Sequence, residues 1–220
     1  MSQRTGLARD LAKRFRRIRH RGVFAQSSLS HWKRLLREWC VIHEQYCKLV
    51  HDDAIYWSIE RSNLAALAGA AWRLGWAALE EFPQTKTSRR ARFAGRTDLY
   101  LKSRGRDEYI ESKMVWLTLR GGADASANIV MQGLESACDD ASAVHVTERT
   151  ERRIGIVFAV PYYPKGRVES LSAFDAVFES LSRQPIDAAA WCFPSCAREL
   201  AWGEPKVNVY PGVILAARRV

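Results

Sequence analysis

Gly95-Arg-Thr-Asp-Leu-Tyr-Leu-Lys-Ser-Arg-Gly-Arg-Asp-Glu-Tyr-Ile-Glu-Ser-Lys-Met-Val-Trp116 reads as two strands joined by a tight polar turn. Leu99 and Leu101 alternate with polar neighbours, Arg104 to Asp107 supply turn chemistry around Gly105, and Tyr109 to Trp116 is a second β-rich run, extending to Leu119. Successive strand side chains point to opposite faces, so Glu111 and Lys113 share one face while Ile110, Ser112 and Met114 take the other. Asp98 opens the first strand, and a hairpin brings it beside the Glu/Lys pair. Acidic residues are depleted in strands because they fit a pleated, half-buried surface badly. An Asp, a Glu and a Lys on one hairpin therefore need an explanation. A salt-bridged solvent face is the plain one, with cross-strand pairs worth a fraction of a kcal/mol.

Outward from this hairpin, the composition is that of a globular protein: 220 residues, 47% hydrophobic and 26% charged, enough for a substantial core. Its net charge of +10 favours an anionic partner, nucleic acid first and an acidic membrane surface second. Five cysteines without zinc-site spacing read as free thiols in a reducing cytosol, so the expected location is cytoplasmic. No apolar h-region marks a secretory signal, although the Arg-rich N-terminus superficially resembles an organelle transit peptide. Asn63 to Leu79 is apolar but short, carries Arg73 and is rich in Ala and Gly, which suits a buried helix better than a membrane span.

The N-terminal residues predict a basic helix from Gly6 to Gly22, with Leu7, Leu11, Phe15 and Ile18 on one stripe. Its arginines, among them Arg14, Arg16 and Arg17, suit phosphate contacts or a solvated face. Gly22 to Ser28 reads as a connector. A long helix capped by Ser30 follows, to about Val50, and a second runs from about Tyr56 to Phe82, ended by Pro83. His43 and His51 lie alone and read as surface or packing residues. Gln84 to Arg92 is a basic stretch containing Lys86, Arg89, Arg90 and Arg92, either a loop or a short strand. Downstream of the hairpin, Asp124 or Ser126 caps a helix to about Ala143, and Ile154 to Val160 is a continuous apolar run that fits a buried central strand. A helix over Val168 to Ser182 and strands over Ala189 to Phe193 and Val207 to Ala216, broken at Pro211-Gly212, close the chain. This order gives an α/β or α+β mixed-sheet protein, with residues 1–55 as a basic helical N-terminal extension and 56–220 as the main domain.

Helix, short strand, strand with Asp98, strand with Glu111-Ser112-Lys113, helix and buried strand follow one another. In that order the sequence resembles the PD-(D/E)XK nuclease superfamily, with its restriction-endonuclease-like αβββαβ core. Asp98 matches the first acid of that motif, and Glu111 and Lys113 match the (D/E)-x-K signature one strand later. Thr97 stands where the family name has Pro. The resemblance covers roughly Glu60 to Pro161 and implies metal-assisted phosphodiester hydrolysis, with DNA ranked ahead of RNA as the nucleic-acid partner. It implies Mg²⁺, with Mn²⁺ as substitute, held by Asp98, Glu111 and the backbone carbonyl of Ser112. Lys113 would position the water and stabilise developing charge.

Many members add an acid from the first core helix. Glu60 is the first choice here, and Glu80 and Glu81 at the expected other end of that helix are the competitors. Gln132 matches a supporting polar position. Arg89, Arg90, Arg92 and the N-terminal arginines would engage phosphates, and members that cut two strands often work as homodimers. The scaffold also hosts non-cutting relatives, so the alternative is a catalytically inactive nuclease-fold protein that binds nucleic acid or a protein partner. No Gly-rich phosphate loop, His-Glu-x-x-His or nucleophile elbow competes. Trp191, Trp202 and Tyr162-Tyr163 are candidates for base stacking or for packing.

Overall fold

The computed structural model describes residues 21–87, 91–118, 121–148, 150–166, 173–197, 200–203 and 207–220. The helix expected over Gly6 to Gly22, with Arg14, Arg16 and Arg17, lies outside them apart from Arg21 and Gly22, and Arg89 and Arg90 lie outside as well.

Ile154 to Val160 does what its unbroken apolar run requires. It forms the buried centre of β5 (Glu151–Pro164), whose Ile154, Ile156, Phe158 and Val160 pack on one face of a mixed sheet and Val157 and Ala159 on the other. Around it stand β1 (Arg21–Ala25), β2 (Ala77–Thr87), β3 (Arg92–Ser103), β4 (Arg106–Thr118), β6 (Ala188–Cys192) and β9 (Val213–Arg219), in the order β1-β6-β9-β5-β4-β3-β2. The β4–β5 pairing is parallel and the others along this path are antiparallel. Short strands β7 (Ala201–Trp202) and β8 (Asn208–Val209) pair off the end of β5. Helices α1 (Trp32–Leu49) and α2 (Glu60–Arg73) cover one face, and α3 (Gly122–Ser142) and α4 (Ala173–Leu181) the other. The protein is thus an α/β structure with a mixed sheet, and no described helix is long and apolar enough to cross a membrane.

Three local expectations change. Arg21–Ala25, read as helix end and connector, is an edge strand antiparallel to β6, and α1 buries Trp32, Leu35, Leu36 and Trp39 in the same core as β5. The described part of the stretch expected to be an extension is therefore built into the sheet and core. The helix expected from Tyr56 to Phe82 stops at Arg73. Gly75, at φ 73, supplies the left-handed C′ residue of a Schellman cap, with Trp76 N–H donating to Ala71 O and Gly75 N–H to Trp72 O, each at 3.0 Å. Residues 77–87 are consequently free to become β2, with Pro83 inside it. Neither Asp124 nor Ser126 caps α3. Ser126 instead donates to Thr118 O and Gly122 O, and Asp124 accepts from Ser180.

Close approach seats α3 on the sheet. A methyl group at Gly155 of β5 would lie 2.6 Å from Cys138 N, and one at Gly133 of α3 would lie 2.8 Å from Val115 and Val157. These two glycines let the helix backbone settle onto β4 and β5. On the other face, α1 is fixed by Glu108 of β4, which is buried and accepts from Trp32 Nε1 at 2.9 Å while pairing with His31 Nε2 at 2.7 Å. All five cysteines are free, four of them buried and Cys196 exposed.

Two stability predictions follow from buried polar groups. Glu108→Ala leaves the Trp32 indole N–H unpaired in the core, and urea denaturation is expected to show a loss of about 2–3 kcal/mol. His43, expected to be a surface or packing residue, is buried between the rings of Trp39 and Tyr56, with neither ring nitrogen hydrogen-bonded, and burial lowers its pKa from 6.5 to about 3. The depressed folded value means that protonation favours unfolding. Its effect is nil above about pH 6.5 and costs about 1.4 kcal/mol per pH unit as the pH falls from there towards the folded value. His43→Phe should remove one proton from the slope of stability against pH between pH 6 and 4; an unchanged slope would assign the acid sensitivity to other groups.

Candidate active site

The Asp98 hairpin is built as its sequence requires, with Arg104-Gly105 as the turn and Ser103 opposite Arg106. However, β3 begins at Arg92, so Asp98 stands mid-strand rather than opening it. Leu99 and Leu101 face the α1/α2 core with Ile110, which leaves Tyr100 and Lys102 on the opposite face beside Tyr109 and Asp107.

The β3–β4 ladder ends at the pair Leu99–Ile110, although β4 itself continues beside β5 to Thr118. Beyond that point side chains take over from backbone pairing. The Thr97 hydroxyl donates to Ile110 O at 2.8 Å, and the Ser112 N–H donates to Asp98 Oδ2 at 2.7 Å. A buried backbone group without a partner is costly, so these two bonds are what allow the strands to part. Thr97 thus has a structural task here that a proline could not perform. Across from Asp98, Glu81 adopts φ 52, a left-handed conformation disfavoured for a residue with a Cβ.

Glu60, at the first turn of α2, reaches the same seam. Ser112 Oγ lies 2.5 Å from Glu60 Oε1 and 3.1 Å from Asp98 Oδ2. Glu60 and Asp98 therefore share one hydroxyl, and both line a cleft of about 340 Å³ with Ile59, Arg61, Leu64, Glu80 and Glu81. Glu80 and Glu81, expected at the far end of a helix, belong instead to β2 and also border this cleft. Glu81 accepts from Arg61 and lies 3.6 Å from Arg96, so its charge is compensated at the surface.

Glu111 and Lys113 do share a face, that of α3. The Glu111 carboxylate is buried and its Oε1 lies 2.8 Å from Lys86 Nζ, although the contact lacks directed hydrogen-bond geometry. Burial pushes the Glu111 pKa up, the Lys86 ammonium pulls it down, and the negative charge of Asp98 pushes it up again; the net direction is upward. Lys113 Nζ is 2.5 Å from Asp140 Oδ2 on α3. Burial alone would lower the Lys113 pKa, but the hydrogen bond and charge of Asp140, with the charges of Glu60 and Asp98, outweigh it and hold the ammonium above its ordinary value.

Asp98, Glu60 and Ser112 thus meet directly, while Glu111 and Lys113 act on the seam electrostatically from the α3 side. Among the described residues, no group of three or more His, Cys, Asp or Glu side chains is placed to hold a metal ion. Gln132 is exposed, next to the Gly133 that faces the sheet. Arg92 is exposed at the start of β3. Trp191 is buried, Trp202 is exposed and Tyr162 packs against Tyr210.

Sequence reading had placed Lys86 only in a basic stretch, and it gave no role to Asp140 or the Ser112 hydroxyl. Lys86 arrives because the end of β2 is tied to the segment after α3, through Thr87 N–H to Ala143 O at 2.6 Å and His145 N–H to Thr85 O at 2.8 Å. Asp140 lies 27 positions after Lys113, with the α3 turn between them, and no local pattern relates the two.

Comparison of the chain with protein-family models, curated proteins and solved structures returned no match.

Thr97→Val keeps the shape of the seam and removes its hydroxyl donor. It should cost about 1–2 kcal/mol in chemical denaturation and speed hydrogen exchange of the Ser112 amide; unchanged exchange would mean that Asp98 alone holds the split.

Proposed function

We propose that this protein is a metal-dependent nuclease that hydrolyses phosphodiester bonds, acting on DNA ahead of RNA. The observation that carries the reading is the seam where β3 leaves β4. An aspartate there is bound to the backbone of the next strand, with a glutamate and a lysine flanking that same residue. The order α2-β2-β3-β4-α3-β5, with β4 and β5 parallel, supports it as the arrangement expected of a restriction-endonuclease-like core. A net charge of +10 around a carboxylate-rich site suits a polyanionic substrate.

The residues present fit a hard divalent cation. Their donors are all oxygens, and the buried Glu111 Oε1 makes no directed hydrogen bond. Mg²⁺ is commonly held by one or two carboxylates with several waters, so a cage of three acids is not required. Asp98, Glu111 and the Ser112 carbonyl would hold it, and bound there it would supply an activated water and screen charge on the phosphoryl oxygens. Lys113 would position the attacking water and offer a cation to the developing negative charge. Asp140 holds Lys113 in place from α3, and the carboxylates of Asp140, Glu60 and Asp98 outweigh burial and keep the ammonium protonated. Glu60 acts through the Ser112 hydroxyl, which it shares with Asp98.

A second reading has its own observation. With no three clustered ligands among the described residues and with Glu111 already paired to Lys86, the same fold could hold nucleic acid without cutting it.

Incubation of linear, circular and single-stranded DNA, and of RNA, with Mg²⁺ or Mn²⁺ tests the two readings. Wild type should cut. Asp98→Ala and Lys113→Ala, at matched folding, should lose about 100-fold or more, and Asp140→Asn about 10-fold. Cutting of equal strength in wild type, Asp98→Ala and Lys113→Ala would remove catalysis from this seam. Binding that weakens steeply with salt but is followed by no cleavage would establish the second reading.

A further inference from the structure

Lys86 has no part in the mechanism above, yet its ammonium sits against the most deeply buried carboxylate of the seam. The Glu111 side chain is 5% exposed and that of Lys86 18%, at 2.8 Å. Burying a charge is costly unless it is compensated, so Glu111 needs a cation whether or not a metal is present. Lys113, the cation nearest in sequence, is committed to Asp140. Lys86 fills the vacancy from a different strand, and the contact lacks directed hydrogen-bond geometry at Glu111 Oε1.

Resting on the nuclease reading, we propose that Lys86 is an exchangeable counter-ion: it holds Glu111 in the metal-free protein and is displaced when a divalent cation binds, which frees its ammonium for the substrate phosphate. A doubly charged cation offers the same carboxylate twice the charge, and an ion pair without alignment gives up the directed term that would resist exchange. The exchange needs side-chain movement alone. The β2 backbone is pinned on both sides of Lys86, by Thr85 O to His145 N–H and by Thr87 N–H to Ala143 O. Four methylenes give the ammonium its reach. Lys86 is thus a positioning residue before metal binding and a phosphate-contacting one after it.

The test uses the full chain, stripped with chelator, and Mn²⁺ alone as the probe in calorimetric titration. Lys86→Met removes the competing charge and should bind Mn²⁺ about threefold or more tighter than wild type. Lys86→Arg, and Lys102→Met at the separate Lys102–Asp107 pair, should bind as wild type does. At saturating Mn²⁺ the Lys86→Met protein should nevertheless cut more slowly, an opposition between binding and turnover that simple structural damage would not produce. In wild type, trace acylation read by mass spectrometry should show Lys86 becoming more reactive on adding Mn²⁺, with Lys102 as the internal reference. This keeps the proposal falsifiable if Lys86→Met does not fold. Mn²⁺ binding that is unchanged or weakened in Lys86→Met, or Lys86 reactivity that does not respond to Mn²⁺, would overturn the exchange alone. No Mn²⁺ binding to wild type would overturn the metal-dependent reading together with it.

Discussion

Two side-chain-to-backbone hydrogen bonds, Thr97 to Ile110 O and Ser112 N–H to Asp98, let β3 leave β4 without abandoning buried polar groups. The rest of the site depends on that substitution. Had the ladder continued past Leu99 and Ile110, backbone would have filled the seam and the Asp98 carboxylate would have had no bond to Ser112. Because the strands part, the first turn of α2 reaches in and places Glu60 on the Ser112 hydroxyl. The strained backbone of Glu81 lies directly across, on the strand that borders the opening.

Stiffness elsewhere makes this opening possible. β4 remains paired with β5 from Asp107 to Thr118, and β5 is buried from Ile154 to Pro161. Glu108, pinned by His31 and Trp32, and Glu111, paired with Lys86, are buried charges on opposite faces of this one strand. Each is tolerated because a partner from another element compensates it. One of the two pairings is built from directed hydrogen bonds and anchors a helix. The other is an ion pair without directed hydrogen-bond geometry at Glu111 Oε1, the kind of interaction that a stronger cation can replace.

Charge is distributed in opposite senses over two length scales. The whole chain carries +10, while Glu60, Glu80, Glu81, Asp98, Glu111 and Asp140 gather around one seam. A long-range field of that sign favours polyanions in general, and the local acids would repel one unless cations stood between. In the structure those cations include Lys86, Lys113, Arg61 and Arg96. This is the electrostatic setting in which a divalent cation would serve both the carboxylates and a phosphate.

Periodicity and punctuation alone determined much of the protein: the Asp98 hairpin with its turn around Gly105, the face shared by Glu111 and Lys113, the central apolar strand, and the helices seen as α1, α3 and α4. These are local properties, written in alternation with period two, in helical stripes and in turn residues. The same reading ran one helix through Gly75 to Phe82, because an Ala-rich stretch looks helical until a left-handed glycine closes a Schellman cap. It also treated Arg21–Ala25 as a connector, since an edge strand of five residues gains its identity from pairing with β6, some 165 residues away. Lys86 beside Glu111, Asp140 beside Lys113 and the shared hydroxyl of Ser112 were settled only by tertiary structure. Each joins residues distant in sequence through desolvation and charge, and both act through space and leave no period along the chain.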